Sequence, residues 1–155
     1  MRKTLGVIMM LAWALWFGGM IVLFIFVMRL FGTARAVAVD AAPVLFNTFA
    51  VYQLIVGMIA CAAGTILTLL TRRNAHALAT LLMIVALGAG LVLRSWTNEM
   101  ERLDRSSVAG VSRFQTLHHA STRVYTSAAV LLMISGIFWI VMPPESRTEK
   151  ETAVA

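Results

Sequence analysis

The residues best suited to chemistry lie in one polar run, Phe114 to Tyr125, which contains two adjacent histidines. A neutral imidazole can bind a metal ion or carry a proton, and a nearby hydroxyl can orient a ligand. At about 100° per residue on a helix, His118, Ser121 and Tyr125 share one stripe, while His119 points roughly 100° away from His118. The spacing therefore predicts one candidate imidazole instead of a histidine pair.

The overall composition is unlike that of a soluble domain. Of the 155 residues, 60% are hydrophobic and 13% are charged, and the mean hydropathy is +0.85, whereas a soluble domain is about one quarter charged. The net charge of +6 comes from basic residues that flank apolar segments. No basic run with interleaved aromatic residues indicates nucleic-acid binding. The lipid bilayer is the expected surrounding, and nucleic acid is not an expected partner.

Four apolar segments are long enough to cross that bilayer. Each lacks acidic and basic residues over about 20 positions or more, the length that a helix needs to span roughly 30 Å of hydrocarbon. The segments are continuous and not alternating, which favours helices over barrel strands. The sequence predicts an all-α membrane protein, a four-transmembrane-helix bundle that forms a single domain over 1–155. Its helices are expected at about 4–30, 43–71, 75–103 and 112–142, followed by a polar C-terminal tail at 143–155.

The connection between the third and fourth segments has helical order of its own. Apolar residues recur there at helical spacing, at Trp96, Met100 and Leu103. Helix 3 is therefore expected to continue past Arg94 as an interfacial extension. Ser112 and Gln115 fit the capping-box pattern, which predicts that helix 4 begins at Ser112, before its hydrophobic part.

Helices that alternate in direction bring polar residues from three of them to one membrane face. Gln53 on helix 2 and Arg94 on helix 3 are expected on the same side as His118, Ser121 and Tyr125 on helix 4. These five residues form the candidate ligand-binding set, around a polar vestibule. The competing interpretation is interfacial packing, since polar side chains and tyrosines are common near the ends of membrane helices.

Neither a metal nor another cofactor is expected. Two axial ligands would have to converge, yet His76 is expected on the face opposite His118. Cys61 is the chain's single cysteine, so it offers neither an intrachain disulfide nor a cysteine pair for a metal. The 10 methionines show no repeated ligand spacing. Haem or copper binding is the least favoured alternative.

Enzyme motifs are missing from the sequence as well. It contains no Gly-x-Ser-x-Gly elbow, no His-Glu-x-x-His helix and no Gly-rich phosphate loop. The uncharged segments also offer no paired carboxylates for acid and base roles. We therefore expect a protein that is not an enzyme, without catalytic residues.

Small residues four apart recur in the first three helices, and such pairs let membrane helices approach closely. They are Ala14 and Gly18, Ala60 and Gly64, and Ala86 and Gly90. They favour a compact bundle and equally allow a homo-oligomer or a membrane-protein partner.

The placement of charges bears on orientation. Arg2 and Lys3 precede a first segment that is too long for a signal-peptide core, so this segment is expected to be retained. The short basic turn at Arg72 and Arg73 favours both termini in the cytoplasm. Short tails and no organelle signal indicate the cell membrane, that is, a bacterial cytoplasmic (inner) membrane, crossed several times.

Four segments together resemble the domain-of-unknown-function 4149 group, which includes the transmembrane protein 205-like proteins. They are Trp13 to Gly19, Val27 to Phe31, Phe46 to Tyr52 and Phe114 to Ser121, and the resemblance extends from Trp13 to about Val141. It implies a four-helix membrane protein without an established general activity, although eukaryotic relatives have been linked with drug resistance. This sequence departs from the group at Arg29 and at Tyr125.

The functional expectation is an integral membrane protein that acts as an accessory or scaffold subunit of a membrane complex. The alternative is a transport or resistance protein for a small solute or metal, with a polar vestibule near His118. Short soluble tails and close-packing surfaces favour the first interpretation, and the polar face favours the second.

Overall fold

The computed structural model describes residues 2–141, which form four α-helices and no strand. They are α1 (Arg2–Thr33), α2 (Arg35–Thr71), α3 (Asn74–Arg102) and α4 (Val108–Val141). The prediction of an all-α four-helix bundle is confirmed. The predicted last residue of helix 4, at position 142, and the predicted polar tail at 143–155 lie outside the described residues.

All four helices are long and apolar enough to cross a membrane. In α3, Arg73 and Arg94 enclose an uncharged stretch whose length at 1.5 Å per residue is about 30 Å, which matches the hydrocarbon thickness of a bilayer. Large apolar side chains cover the outside of the bundle, and Leu69, for example, is 70% exposed. These features are those of a multi-pass membrane protein.

Successive helices run antiparallel and pack as neighbours, in the order α1, α2, α3, α4. The contact between α1 and α4 closes the bundle and is the least extensive. Two hydrogen bonds hold it: the indole N–H of Trp13 donates to the Leu132 carbonyl at 2.9 Å, and the Tyr125 hydroxyl donates to the Met20 carbonyl at 2.6 Å. These bonds fix the height of α4 relative to α1.

Glycines allow the close approach of helices in the core. A Cβ on Gly57 would lie 2.8 Å from Leu87 and 3.2 Å from the ring of Trp16, so α1, α2 and α3 meet at this point. Gly64 faces Met83 in the same way, as predicted for a close-packing position. Gly18 has no side chain or neighbouring backbone within 4 Å of such a Cβ, so it does not contribute to packing within this chain.

The helix starts differ most from the prediction at α2. This helix begins at Arg35, eight positions before the expected start at 43, and only Ala34 separates it from α1. Pro43 therefore lies inside the helix. The Ala34 N–H donates to the Leu30 carbonyl at the end of α1, and the Ala34 carbonyl accepts from the Ala38 N–H at the start of α2. Ala34 itself is not helical, with φ −144° and ψ 60°, so the chain reverses direction at this single residue.

The start of α4 also differs from the prediction, and the capping box at Ser112 is wrong. The helix begins at Val108 because Ser107 caps it: the Ser107 hydroxyl accepts from the Gly110 N–H at 3.1 Å. The Asp104 carboxylate accepts from the hydroxyl and the backbone N–H of Ser106. These bonds hold the pKa of Asp104 below its usual value and shape the turn between α3 and α4.

Candidate functional site

His118 lies on the outside of α4 and is exposed. Its ring is nearly parallel to that of Phe114, with 6.0 Å between centroids and 5° between planes. The Arg105 guanidinium lies over the Phe114 ring, 4.5 Å from the ring centroid. His119 is tilted 57° from His118, so the two imidazoles do not form a parallel pair. These stacked side chains lie on an exposed surface and do not enclose a ligand pocket.

The hydroxyl groups of the predicted stripe are occupied by contacts within the protein. Ser121 donates to the His118 carbonyl at 2.9 Å, and Thr122 donates to the same oxygen. Tyr125 is half-buried and donates its hydroxyl proton to Met20 on α1. Ser121 and Tyr125 therefore use their protons in helix structure and helix packing.

Gln53 and Arg94 line a narrow cleft between α2 and α3, at the membrane face that carries His118. The remaining lining residues are Ala50, Leu54, Leu87, Gly90 and Leu91. Its water-accessible volume is about 10 Å³, which is close to the space that one water molecule needs. We call this site the Gln53 cleft.

The Gln53 side chain is the polar group that distinguishes this cleft. Gln53 is 5% exposed, and its amide nitrogen is buried without a hydrogen-bond partner. The nitrogen lies against the backbone of Gly90, since a Cβ at that position would collide with it. A buried amide donor without an acceptor costs about 1–3 kcal/mol. Residues 2–141 therefore supply no acceptor for this amide N–H group.

The five predicted residues thus form two groups. His118, Ser121 and Tyr125 lie along α4, whereas Gln53 and Arg94 share the α2–α3 cleft, and no hydrogen bond joins the groups in the described chain. Nor do residues 2–141 contain three or more His, Cys, Asp or Glu side chains placed to hold a metal ion. The arrangement offers no shared vestibule built around His118.

The interfacial ends of the helices are joined by an ion pair and by a hydrogen bond to a carboxylate. Arg113 on α4 donates to Glu99 on α3 at 2.7–2.8 Å, and both side chains are substantially exposed. Asn47 on α2 donates to Glu101 on α3 at 2.8 Å. Exposed pairs of this kind contribute little stability, but they set the height of three helices at this face.

A buried polar layer at the opposite end of the bundle was not predicted. We call it the His76 layer; its members are Thr68, Thr71, His76, Thr80 and Ser135. The Thr71 hydroxyl donates to the Leu67 carbonyl and lies 2.9 Å from His76 Nδ1, so the imidazole nitrogen is the donor between them. Threonines and a serine in apolar runs were the available signal.

The other members of the layer are paired in the same way. The Thr68 and Thr80 hydroxyls lie 3.1 Å apart, and Ser135 donates to the Ala79 carbonyl at 2.9 Å. The His76 ring is fully buried and stacks on Trp139, with 4.3 Å between centroids. As the sequence predicted, His76 and His118 lie at opposite ends of the bundle.

An outward polar face on α4 was missed as well. Thr122, Arg123, Thr126 and Ser127 are exposed and, with Val130 and Leu131, line a shallow open groove. We call these six residues the α4 face. Among residues 2–141, Arg123 has no hydrogen-bond or ion-pair partner.

Comparisons with protein-family models, with curated proteins and with solved structures found no match. The candidate sites are therefore interpreted from their own geometry and chemistry. That geometry contains three regions: the His76 layer inside the bundle, the Gln53 cleft at its edge and the α4 face on its outside.

Proposed function

We propose that this protein is a non-enzymatic accessory subunit of a membrane complex and that it binds a partner span through the α4 face. The observation that carries the proposal is the position of Arg123, a cation without a partner on an outward surface that faces the bilayer. Such a residue in a membrane helix commonly marks an interaction or transport site.

The register between α3 and α4 gives the depth of Arg123. Ser135 lies opposite Ala79, because its hydroxyl donates to that carbonyl. Following both antiparallel helices from this contact brings Arg123 level with Leu91. This level is three residues, or about 5 Å, nearer the membrane centre than Arg94. The Arg123 backbone therefore lies inside the apolar zone, where a charge is costly.

Hydrogen bonding divides the α4 face into satisfied and unsatisfied groups. Thr122 donates to the His118 carbonyl and Thr126 donates to the Thr122 carbonyl, so both tolerate lipid. Arg123 and Ser127 make no such bond within the described chain. A partner helix that supplies hydrogen-bond acceptors at this level would lower the free-energy cost of placing Arg123 and Ser127 in the apolar zone.

The chemistry of the face favours a different protein over a second copy of this chain. A symmetric dimer joins identical patches, and α4 contains no Asp or Glu. Two copies would bring their Arg123 side chains together, and like charges repel. The partner that fits is a transmembrane helix with a carboxylate at the level of Arg123.

Photocrosslinking in the native membrane tests this proposal. A benzoylphenylalanine at position 127 should give one discrete protein adduct, and the same probe at Val22, an outward position on α1, should not. Arg123→Leu should reduce the adduct at least tenfold, since a buried charged pair is lost, while Arg123→Lys should retain part of it.

Two further variants test whether a partner helix, lipid or a second copy of this chain lies against the α4 face. Arg29→Leu removes an exposed arginine from the end of α1 and should leave the adduct unchanged. Arg123→Glu should restore the adduct only when the partner's carboxylate is replaced by lysine. An adduct with lipid alone, or with a second copy of this chain, would contradict the proposal.

Membership in the domain-of-unknown-function 4149 group, with the transmembrane protein 205-like proteins, is proposed on the four sequence segments that carry the resemblance. Location in the cell membrane with both termini in the cytoplasm is proposed on the basic Arg72 and Arg73 turn. The transport alternative has less support, because His118 is exposed and separate from Gln53.

A further inference from the structure

The Gln53 cleft has a chemistry that the α4 face does not explain. We propose that this cleft binds a glycerophospholipid, with the Arg94 guanidinium on the phosphate and the Gln53 amide N–H on an ester carbonyl. The inference is independent of the partner proposed for α4, because it rests on α2 and α3 alone.

The unpaired amide of Gln53 requires an acceptor at a particular place. Its nitrogen is buried against Gly90, on the α3 side of the cleft. In a bilayer no bulk water is available to accept a hydrogen bond from such a donor. The space beside it admits about one water-sized group, so a single carbonyl oxygen fits whereas a whole headgroup does not.

Arg94 lies one helical turn from this amide toward the membrane surface. Gly90 and Arg94 are four residues apart on α3, a rise of about 6 Å. The phosphate and the ester carbonyls of a phospholipid are separated by a similar distance, since the interfacial zone of a leaflet is about 5–7 Å deep. A lipid whose phosphate binds Arg94 would therefore place an ester carbonyl at the level of Gly90, deeper than the ester carbonyls of the surrounding leaflet. The Arg94 side chain is exposed and can extend toward a phosphate, for which a guanidinium is well suited.

The rest of the cleft suits the upper part of an acyl chain. Ala50, Leu54, Leu87 and Leu91 supply apolar side chains around the polar pair. A phospholipid that lies along the α2–α3 groove would therefore meet a cation, an amide donor and apolar side chains in that order. This is the order of polarity from a lipid phosphate to its acyl chain.

Two other buried donors without partners do not offer such a site. The indole nitrogens of Trp16 and Trp139 are also buried, with no hydrogen-bond partner among residues 2–141. Neither tryptophan lines the Gln53 cleft, and each is a large apolar ring with one donor. A glutamine amide has two donors and an acceptor, so leaving it unpaired in an opening to the bilayer is the more specific feature.

Lipid binding by the full chain tests the proposal. Delipidated protein in detergent is titrated with dioleoylphosphatidylglycerol and with its ether-linked analogue, which lacks the ester carbonyls, and bound states are counted by native mass spectrometry. The wild-type protein should bind the ester lipid about fivefold more tightly, the effect of one hydrogen bond. Equal binding of both lipids would overturn the proposal.

Variants assign the two contacts. Gln53→Met keeps the length of the side chain but removes the donor, and it should abolish the preference for the ester lipid. Arg94→Leu should weaken binding of both lipids about tenfold, whereas Arg29→Leu, which removes an exposed arginine at the end of α1 and outside the cleft, should not. Circular dichroism and size-exclusion chromatography confirm that each variant is folded.

Inorganic phosphate separates a lipid site from an anion site. Millimolar phosphate should leave the bound lipid in place, because phosphate alone makes neither the amide contact nor the apolar contacts. Complete displacement by phosphate, or an ester preference that persists in Gln53→Met, would overturn the proposal.

Discussion

The His76 layer and the Gln53 cleft are both buried polar regions, and they lie at opposite ends of the same bundle. In the His76 layer, threonine and serine hydroxyls bond to one another, to the imidazole or to a backbone carbonyl. In the Gln53 cleft the amide nitrogen has no hydrogen-bond partner among residues 2–141. Both regions are polar, but within the part of the chain that the structure describes the Gln53 amide nitrogen lacks the hydrogen bond that the members of the His76 layer have.

This difference separates a structural role from a binding role. A satisfied polar group in a membrane bundle orients and joins helices, at a gain of about 0.6 kcal/mol per interhelical bond. An unsatisfied one costs free energy in the unbound protein and recovers it when an acceptor binds. The comparison therefore indicates helix packing for His76 and supports the proposal that Gln53 binds a ligand.

The largest expected effect comes from the centre of the His76 layer. His76→Ala removes the fully buried ring that stacks on Trp139 and the hydrogen bond to Thr71. We expect the free energy of unfolding to fall by about 2–4 kcal/mol. Thermal unfolding in detergent measures the loss, with the exposed His119→Ala as control. An unchanged thermal unfolding transition would contradict a structural role for the His76 layer.

Gln53→Met should raise the free energy of unfolding, which His76→Ala lowers. Replacing the unpaired amide by a thioether of similar length removes a buried donor, so the delipidated protein should become more stable by about 1–2 kcal/mol. Added ester phospholipid should then stabilise the wild-type protein more than the variant. A variant that is less stable than the wild type without lipid would mean that the Gln53 amide already has a partner.

The sequence was sufficient to predict the helices but not their ends. Uncharged runs of membrane length determine where four helices lie, since hydropathy is a property of each run alone. Ends depend on individual bonds, as at Ser107, where a hydroxyl caps α4 before the Ser112 pattern begins. The sequence predicts that helix 2 starts at position 43, yet α2 begins two turns before Pro43.

The candidate site was harder to predict because spacing gives angles on one helix only. His118 and Tyr125 share a stripe, but Tyr125 turns its hydroxyl to α1 while His118 faces outward. The rotation of each helix relative to its neighbours decides such outcomes. Gln53 and Arg94 were named as candidates, but that Gly90 lies opposite the amide could not be derived without the packing of α2 on α3.

The smallest expected effect concerns one bond at the edge of the His76 layer. Ser135 donates to the Ala79 carbonyl, which lies within α3 and can also accept a helical bond. Ser135→Ala should therefore lower stability by only about 0.6 kcal/mol, the typical value for an interhelical bond in a membrane. Comparing the thermal unfolding of this variant with that of Ser127→Ala, which changes an exposed serine on the same helix, isolates the contribution of the hydrogen bond. A loss as large as that of His76→Ala would mean that the layer acts as one cooperative network, in which each bond depends on the others.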